Sequence, residues 1–163
     1  MNDFTDLFYT IFSVVIFSFL LIQANSLILS NEAVTIDHEY EKTAISVAQS
    51  IIDEAKTRDF DINMSSSGIP GSFRETTQFG TNGIQREKFT AFDDYHVFLN
   101  DPLLVRTPLG DYDVTVLVEY VDTEPPFDVS TEKTMNKRMT VTATSTANNE
   151  SATLMYVKSF FDY

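Results

Sequence analysis

The sequence predicts an α+β fold in which a long N-terminal helix packs on a C-terminal antiparallel sheet. Residues 7–22 form an apolar run that contains no charge, glycine or proline. Apolar side chains then recur at helical spacing as far as Ala55, and the last third of the chain alternates apolar and polar residues as strands do. Since the first glycine is Gly68 and the first proline is Pro70, one helix is expected from about Phe4 to about Arg58.

The first half of this helix, residues 1–30, is predicted to span a membrane. Extended to Leu29, the uncharged run covers about 34 Å at the helical rise, and a bilayer core is about 30 Å thick. The flank is acidic and no small-residue cleavage site follows, so a removable signal peptide is not expected. No Lys or Arg precedes Lys42, and one explanation is that a basic leader ahead of Met1 has been removed; the sequence alone leaves this open.

Residues 31–163 are predicted to form a globular head that begins with the second half of the helix, residues 31–58. That half carries an apolar stripe at i, i+4, i+7 and i+8 spacing, opposite a charged face. The stripe is expected to cover the greasy side of the sheet. Its members are Tyr40, Ala44, Val47, Ala48, Ile51, Ile52 and Ala55.

The sheet is predicted within residues 111–163 as a three-stranded antiparallel meander. Its strands are "DYDVTVLVEYVD", "KRMTVTATST" and "ATLMYVKSFF", and the last two are joined by an Asn-rich loop at Ala147–Ser151. Residues 59–110 are expected to connect helix and sheet irregularly. Short strands are predicted there near Arg86–Phe92 and Tyr95–Leu99.

Composition argues against several classes of partner. The formal charge is −13, from 24 acidic and 11 basic side chains, so neither nucleic acid nor an anionic membrane surface is an expected partner. Cysteine is absent, which excludes disulfides and thiolate metal sites.

The sequence predicts no enzyme activity and no cofactor. No catalytic or nucleotide-binding motif occurs, and only His38 and His96 are available as a triad base. His38 is expected to be a solvated residue on the helix face, and a structural role is expected for His96.

No metal site is predicted either. Asp59, Asp61 and Asn63 have calcium-loop spacing, but Met64 and Pro70 occupy the positions that require Gly and Glu. A calcium site formed from other acids stays an alternative; the candidates are Asp93, Asp94, Asp101, Asp111 and Asp113.

Two N-x-S triplets, at Asn63 and Asn149, are weak signals for glycosylation.

An apolar helix that continues into an amphipathic half, a connecting region and a C-terminal sheet together resemble the type IV pilin superfamily. The strands "YDVTVLVEYVD…KRMTVTATS…SATLMYVKSF" are spaced like the sheet of minor pilins and of type II secretion pseudopilins. The resemblance implies a structural subunit of an extracellular filament on the cell surface, a helical homo-oligomer that is anchored in the inner membrane before assembly. It also implies an inner-membrane assembly platform and a prepilin peptidase that processes and methylates Met1. The expected filament-core residues are Phe4, Leu7, Phe8, Ile11, Phe12, Val15, Ile16, Phe19 and Leu20.

The family's fifth mature residue is usually a Glu that pairs with the N-terminal amine of a neighbouring subunit, whereas this chain has Thr5. Asp3 and Asp6 are the acids within reach of such an amine. Asp3 also suits a helix N-cap, so Asp6 is the better candidate for the pairing.

Two other functions stay open. One is a minor pilin or secretion pseudopilin within the same superfamily. The other, from a different class, is a monomeric membrane-anchored binding domain outside the cytoplasm. The sequence does not separate adhesion, motility, DNA uptake and secretion.

Overall fold

The computed structural model describes residues 3–63, 73–80 and 85–161. Helix α1 spans Asp3–Lys56, and three 3-10 helices follow at Thr76–Gln78, Arg86–Lys88 and Phe92–Leu99. The strands are β1 (Leu103–Thr107), β2 (Gly110–Val121), β3 (Asn136–Ser145) and β4 (Ser151–Ser159). The chain divides into two compact units, Met1–Glu39 and Tyr40–Tyr163, and the second is called the head below. The predicted α+β arrangement is confirmed.

Helix α1 matches the predicted extent within two residues at each end. Its last turns are supported on the surface by Asp53, whose carboxylate accepts hydrogen bonds from Gln49 and Lys56. The helix then ends against strand β4. Lys158 donates to the carbonyl oxygens of Lys56 and Arg58, so an ammonium group meets the negative end of the helix.

The sheet is an antiparallel meander in the order β1-β2-β3-β4. The three predicted strands are confirmed as β2, β3 and β4, but β1 was missed. Strand β1 pairs Leu103–Thr107 with Val114–Gly110 and joins β2 by a tight turn that ends at Gly110. Its sequence, LLVRT, puts apolar residues on both faces, so it lacks the alternation that identifies a half-buried strand.

The two short strands predicted before β1 were wrong, because both segments contain 3-10 helices instead. Phe92, Tyr95 and Phe98 are three residues apart, and all three are buried. That spacing matches the three-residue turn of a 3-10 helix, which brings i and i+3 side chains to one face. Asp94 fixes the start of this helix by accepting the backbone N–H groups of Thr90 and Ala91, each at 3.0 Å.

The head core lies between α1 and one face of the sheet, as predicted. Alternate residues of β2 and β3 are buried there: Tyr112, Val114, Val116, Val118, Tyr120, Met139, Val141 and Ala143. The helix contributes its predicted stripe, and Ala44, Val47, Ala48, Ile51, Ile52 and Ala55 are all buried in the same cluster. The phenol of Tyr112 donates to the carbonyl of Tyr40 at 3.1 Å, which fixes where the stripe begins on the sheet.

Polar contacts hold the connecting region against the helix. Glu54 on α1 accepts the hydroxyl of Tyr95 at 2.8 Å and pairs with the guanidinium of Arg86. Burial and the neighbouring Glu54 carboxylate raise the pKa of Tyr95 to about 12, so the phenol keeps its proton and stays a donor.

Candidate membrane and assembly surface

The apolar segment, residues 4–31, presents hydrophobic side chains on every side of α1. All nine predicted filament-core residues are exposed, from 44% at Ile16 to 77% at Phe4. Residues that point in other directions, such as Tyr9, Val14 and Phe17, are exposed as well. A surface helix of a soluble protein buries its apolar face, whereas this segment is apolar and exposed on every face. That pattern is typical of a helix that is surrounded by lipid or by other helices.

The segment is long and apolar enough to cross a membrane, and its most apolar stretch is not buried against the rest of the described chain. No charged side chain occurs from Leu7 to Asn31. At the standard rise these residues cover about 37 Å, and a bilayer core needs about 30 Å. One helix in the described part of the chain is therefore able to anchor it in a membrane.

Hydroxyl groups within the segment find partners on their own helix. Thr10 donates to the carbonyl of Asp6 and Ser18 donates to that of Val14, each at 2.8 Å. Since a hydroxyl without a partner is costly in an apolar medium, these bonds lower the cost of surrounding the segment with lipid or protein.

The acidic residues near the N-terminus are only partly described. Asp6 lies within α1 and its residue is exposed, so its carboxylate is accessible to another molecule. The structure places Asp3 in the first turn of the helix, but its side chain lies outside the described parts. Met1, the predicted processing and methylation site, also lies outside the described residues.

The head contains a buried ionic cluster that sequence reasoning missed. Asp61, Arg74, Asp93, Asp94 and Lys137 are each at most 5% exposed. The ammonium group of Lys137 lies 2.7 Å from a carboxylate oxygen of Asp61 and 3.7 Å from one of Asp93. The guanidinium of Arg74 lies 3.2 Å from Asp93 and 3.0 Å from Asp94. Two bases and three acids thus link the helix exit, the connecting region and strand β3.

Aromatic side chains surround the ammonium group of this cluster. It lies 4.6 Å from the ring centre of Phe60, 4.9 Å from Phe79 and 5.2 Å from Tyr120. A cation within about 6 Å of an aromatic face is attracted to the ring quadrupole. Lys137 also donates to the carbonyl of Phe60 at 3.0 Å, so the ammonium group has both ionic and neutral partners.

The pKa values of the two acids nearest Lys137 are shifted in opposite directions. Burial favours the neutral form of both, but the ammonium of Lys137 and two backbone N–H donors lower the pKa of Asp61 below its usual range. Burial outweighs Lys137 and Arg74 at Asp93 and raises its pKa. One oxygen of Asp93, Oδ1, is buried without a hydrogen-bond partner in the described part of the chain.

Two of the acids that were considered for calcium, Asp93 and Asp94, are paired with Arg74 instead. Asp61, Asp93 and Asp94 are committed to Lys137 and Arg74. Among residues 3–63, 73–80 and 85–161, no three His, Asp or Glu side chains are grouped so that they could hold a metal ion.

His96 accepts a hydrogen bond from the backbone of the sheet. Strand β1 pairs with β2 only as far as Val114, and further along β2 the backbone N–H of Val118 donates to Nδ1 of His96 at 3.0 Å. Burial lowers the pKa of His96, although Glu119 opposes the shift, so the ring stays neutral and accepts this bond. His38 lies exposed on α1.

No protein-family model, no curated protein and no solved structure matches the chain.

Proposed function

We propose that this chain is a structural subunit of a type IV pilus-like extracellular filament that polymerises through its apolar segment. One observation carries the proposal. A single helix, α1, has an apolar segment that is uncharged from Leu7 to Asn31 and exposed on all sides, and further along it supplies the stripe that builds the head core. Such a helix requires an apolar environment for its first part and provides a folded domain with its second.

The proposed assembly exchanges lipid for protein around the apolar segment. Before assembly, lipid tails in the inner membrane surround Phe4, Leu7, Phe8, Ile11, Phe12, Val15, Ile16, Phe19 and Leu20. In the filament, the same side chains pack against equivalent helices of identical subunits. Because both environments are apolar, the gain comes from van der Waals packing between helices rather than from transfer out of water. An assembly platform would extract the subunit after a prepilin peptidase has processed Met1.

Charge pairing would then join neighbouring subunits near the helix start. A free amine at Met1 would be a fixed positive charge in an apolar bundle, where an unpaired charge is expensive. Thr5 is uncharged, so the accessible carboxylate of Asp6 is the proposed partner, and Asp3 is the proposed helix cap.

The head supports a structural role over an enzymatic one. Its histidine in the connecting region, His96, is occupied by the backbone of β2. The buried acids and bases are paired with one another. These contacts support a scaffold.

A membrane-anchored monomer outside the cytoplasm is the second candidate, because the apolar segment is long enough to serve only as an anchor. A minor pilin or secretion pseudopilin is a variant of the main proposal, with the subunit present at low copy number.

Shearing of the native host's surface separates these functions. We expect sheared material to contain filaments by negative-stain microscopy, with this chain as their main component by mass spectrometry. Filaments that contain it as a trace component would indicate a minor subunit. Recovery of the chain only from membranes, with no filament that contains it, would contradict assembly and favour the anchored monomer.

A further inference from the structure

We propose that Asn149, at the tip of the β3–β4 hairpin, is a site of N-glycosylation. The inference rests on the proposed export of the head to the outside of the membrane, because lipid-linked glycans are transferred to proteins there. Asn149, Glu150 and Ser151 form the N-x-S triplet that such transferases accept.

The structure places the whole triplet on the surface. Strand β3 ends at Ser145 and β4 begins at Ser151, and residues 146–150 between them are all exposed. Ser151 is exposed too. The second triplet in the chain begins at Asn63, but its serine, Ser65, lies outside the described residues. Asn149 is thus the asparagine for which acceptor, middle residue and serine are all described and accessible.

The hairpin holds its shape without using the Asn149 carboxamide. Asn148 accepts the backbone N–H of Glu150 on its Oδ1 at 3.2 Å, and Thr146 donates through its backbone and its hydroxyl to Asp111, each at 3.0 Å. The backbone N–H of Asn149 bonds the carbonyl of Ser145 at 3.0 Å. In the part of the chain that the structure describes, the Asn149 side-chain amide makes no hydrogen bond. Of two adjacent asparagines, one builds the turn and the other keeps its amide available.

The backbone at Asn149 also suits a tip residue. Its φ is 60°, in the left-handed region that asparagine tolerates better than most residues. A glycan there would attach to a position that is far in sequence from the apolar segment and separate from the buried ionic cluster. The modification is therefore compatible both with a packed head and with the proposed assembly.

The substrate class is an oligosaccharide carried on a polyprenyl phosphate or diphosphate. Transfer forms a bond between Nδ2 of Asn149 and C1 of the first sugar while the bond between C1 and the lipid phosphate oxygen breaks. The departing phosphate keeps the electron pair of that bond, and Nδ2 loses one proton to a base of the transferase. No oxidant or reductant is involved.

The test is peptide mass spectrometry on the full chain purified from its native host. Trypsin releases residues 139–158 as one peptide, because no Lys or Arg lies between Arg138 and Lys158. We expect this peptide to carry a sugar mass that fragmentation with retained side chains locates on Asn149. Asn149→Gln and Ser151→Ala should each abolish it, whereas Ser151→Thr should retain it.

Asn148→Asp is the matched control, since it keeps the oxygen that accepts the Glu150 N–H and leaves the triplet intact. Its peptide should still be modified. An unmodified Asn149 in the parent chain recovered from filaments would overturn the glycosylation site and leave filament assembly standing. Modified Asn149 in a chain found only in membranes would support this site while contradicting assembly. Sugar on the threonines of the peptide, with Asn149 bare, would also overturn the proposal.

Discussion

The apolar segment of α1 carries no charged side chain from Leu7 to Asn31, whereas the head buries five charged residues in one cluster. The two regions solve the problem of charge in a water-poor environment in different ways. From residue 7 to residue 31 the helix contains no charge, so this part of its surface suits any apolar surroundings. The head keeps charge inside but surrounds it with specific partners, because a buried charge is tolerated only when it is paired and hydrogen-bonded. The apolar segment can therefore exchange one apolar environment for another, whereas the buried charges of the head require particular partners.

The largest expected effect comes from breaking a pair inside the head. Lys137→Met removes the ammonium group that lies near both Asp61 and Asp93. The buried carboxyl groups of these two residues then lose this basic partner. Breaking a buried pair typically costs about 3–5 kcal/mol. We expect the free energy of unfolding of the full chain in detergent micelles, followed by near-ultraviolet circular dichroism, to fall by that amount.

Lys133→Met is the control for this variant. Lys133 is only half-buried, and its partner Glu75 is mostly exposed, so its loss should cost at most about 1 kcal/mol. Equal losses in the two variants would show that the buried cluster is no more important to stability than a surface pair.

The second effect comes from adding a charge where the chain has none. Phe12→Asp places a carboxylate within the apolar segment, where insertion of a charge costs about 2.5–3.5 kcal/mol. We expect sheared preparations to contain no filaments of this variant, while the near-ultraviolet circular dichroism of the head stays that of the parent. Phe12→Leu, which preserves apolarity, should still assemble. Normal filaments from Phe12→Asp would refute the proposed packing of the apolar segment.

A third variant tests how the ionisation of Asp93 makes the stability of the head depend on pH. Burial raises the pKa of Asp93, so the stability that depends on its neutral form is complete below the ordinary aspartate pKa of about 3.9. That stability is lost as the pH rises through the raised folded pKa. Asp93→Asn mimics the neutral carboxyl and should remove this loss. At pH 7 we therefore expect Asp93→Asn to have a higher free energy of unfolding than the parent.

Asp94→Asn provides the contrast at the next position. The Asp94 carboxylate accepts two backbone N–H groups and the guanidinium of Arg74, so its neutralisation should lower stability at pH 7. Denaturant titrations from pH 3 to pH 8 measure both variants. If the free energy of unfolding of Asp93→Asn depends on pH in the same way as that of the parent, the predicted loss of stability does not come from Asp93.

The smallest effect is expected at the start of the helix. Asp6→Asn removes the proposed partner of the N-terminal amine, whereas Asp3→Asn retains a good cap. Filament yield, measured by quantitative blotting of sheared material, should fall severalfold for Asp6→Asn and change little for Asp3→Asn. Equal yields from Asp6→Asn and the parent would rule out the pairing at Asp6.

The sequence by itself determined the long helix, the head stripe and three of the four strands. These features depend on periodicity and on the absence of Gly and Pro before Gly68, which are local properties of the chain. The apolar segment was predictable for the same reason, since the length and composition of an uncharged run are enough to indicate a membrane-spanning helix.

Only the tertiary structure decided how the described residues of the connecting region (59–63, 73–80 and 85–110) fold and where the buried charges meet. Strand β1 is defined by pairing with β2, and the 3-10 helix Phe92–Leu99 by burial of its aromatic residues and by Asp94. Asp61 resembled a polar residue at a helix exit, yet it lies 2.7 Å from a lysine that is 76 positions away in the chain. A charge and its distant partner leave no periodic signal, because their attraction acts only after the fold has brought them together and removed the water between them.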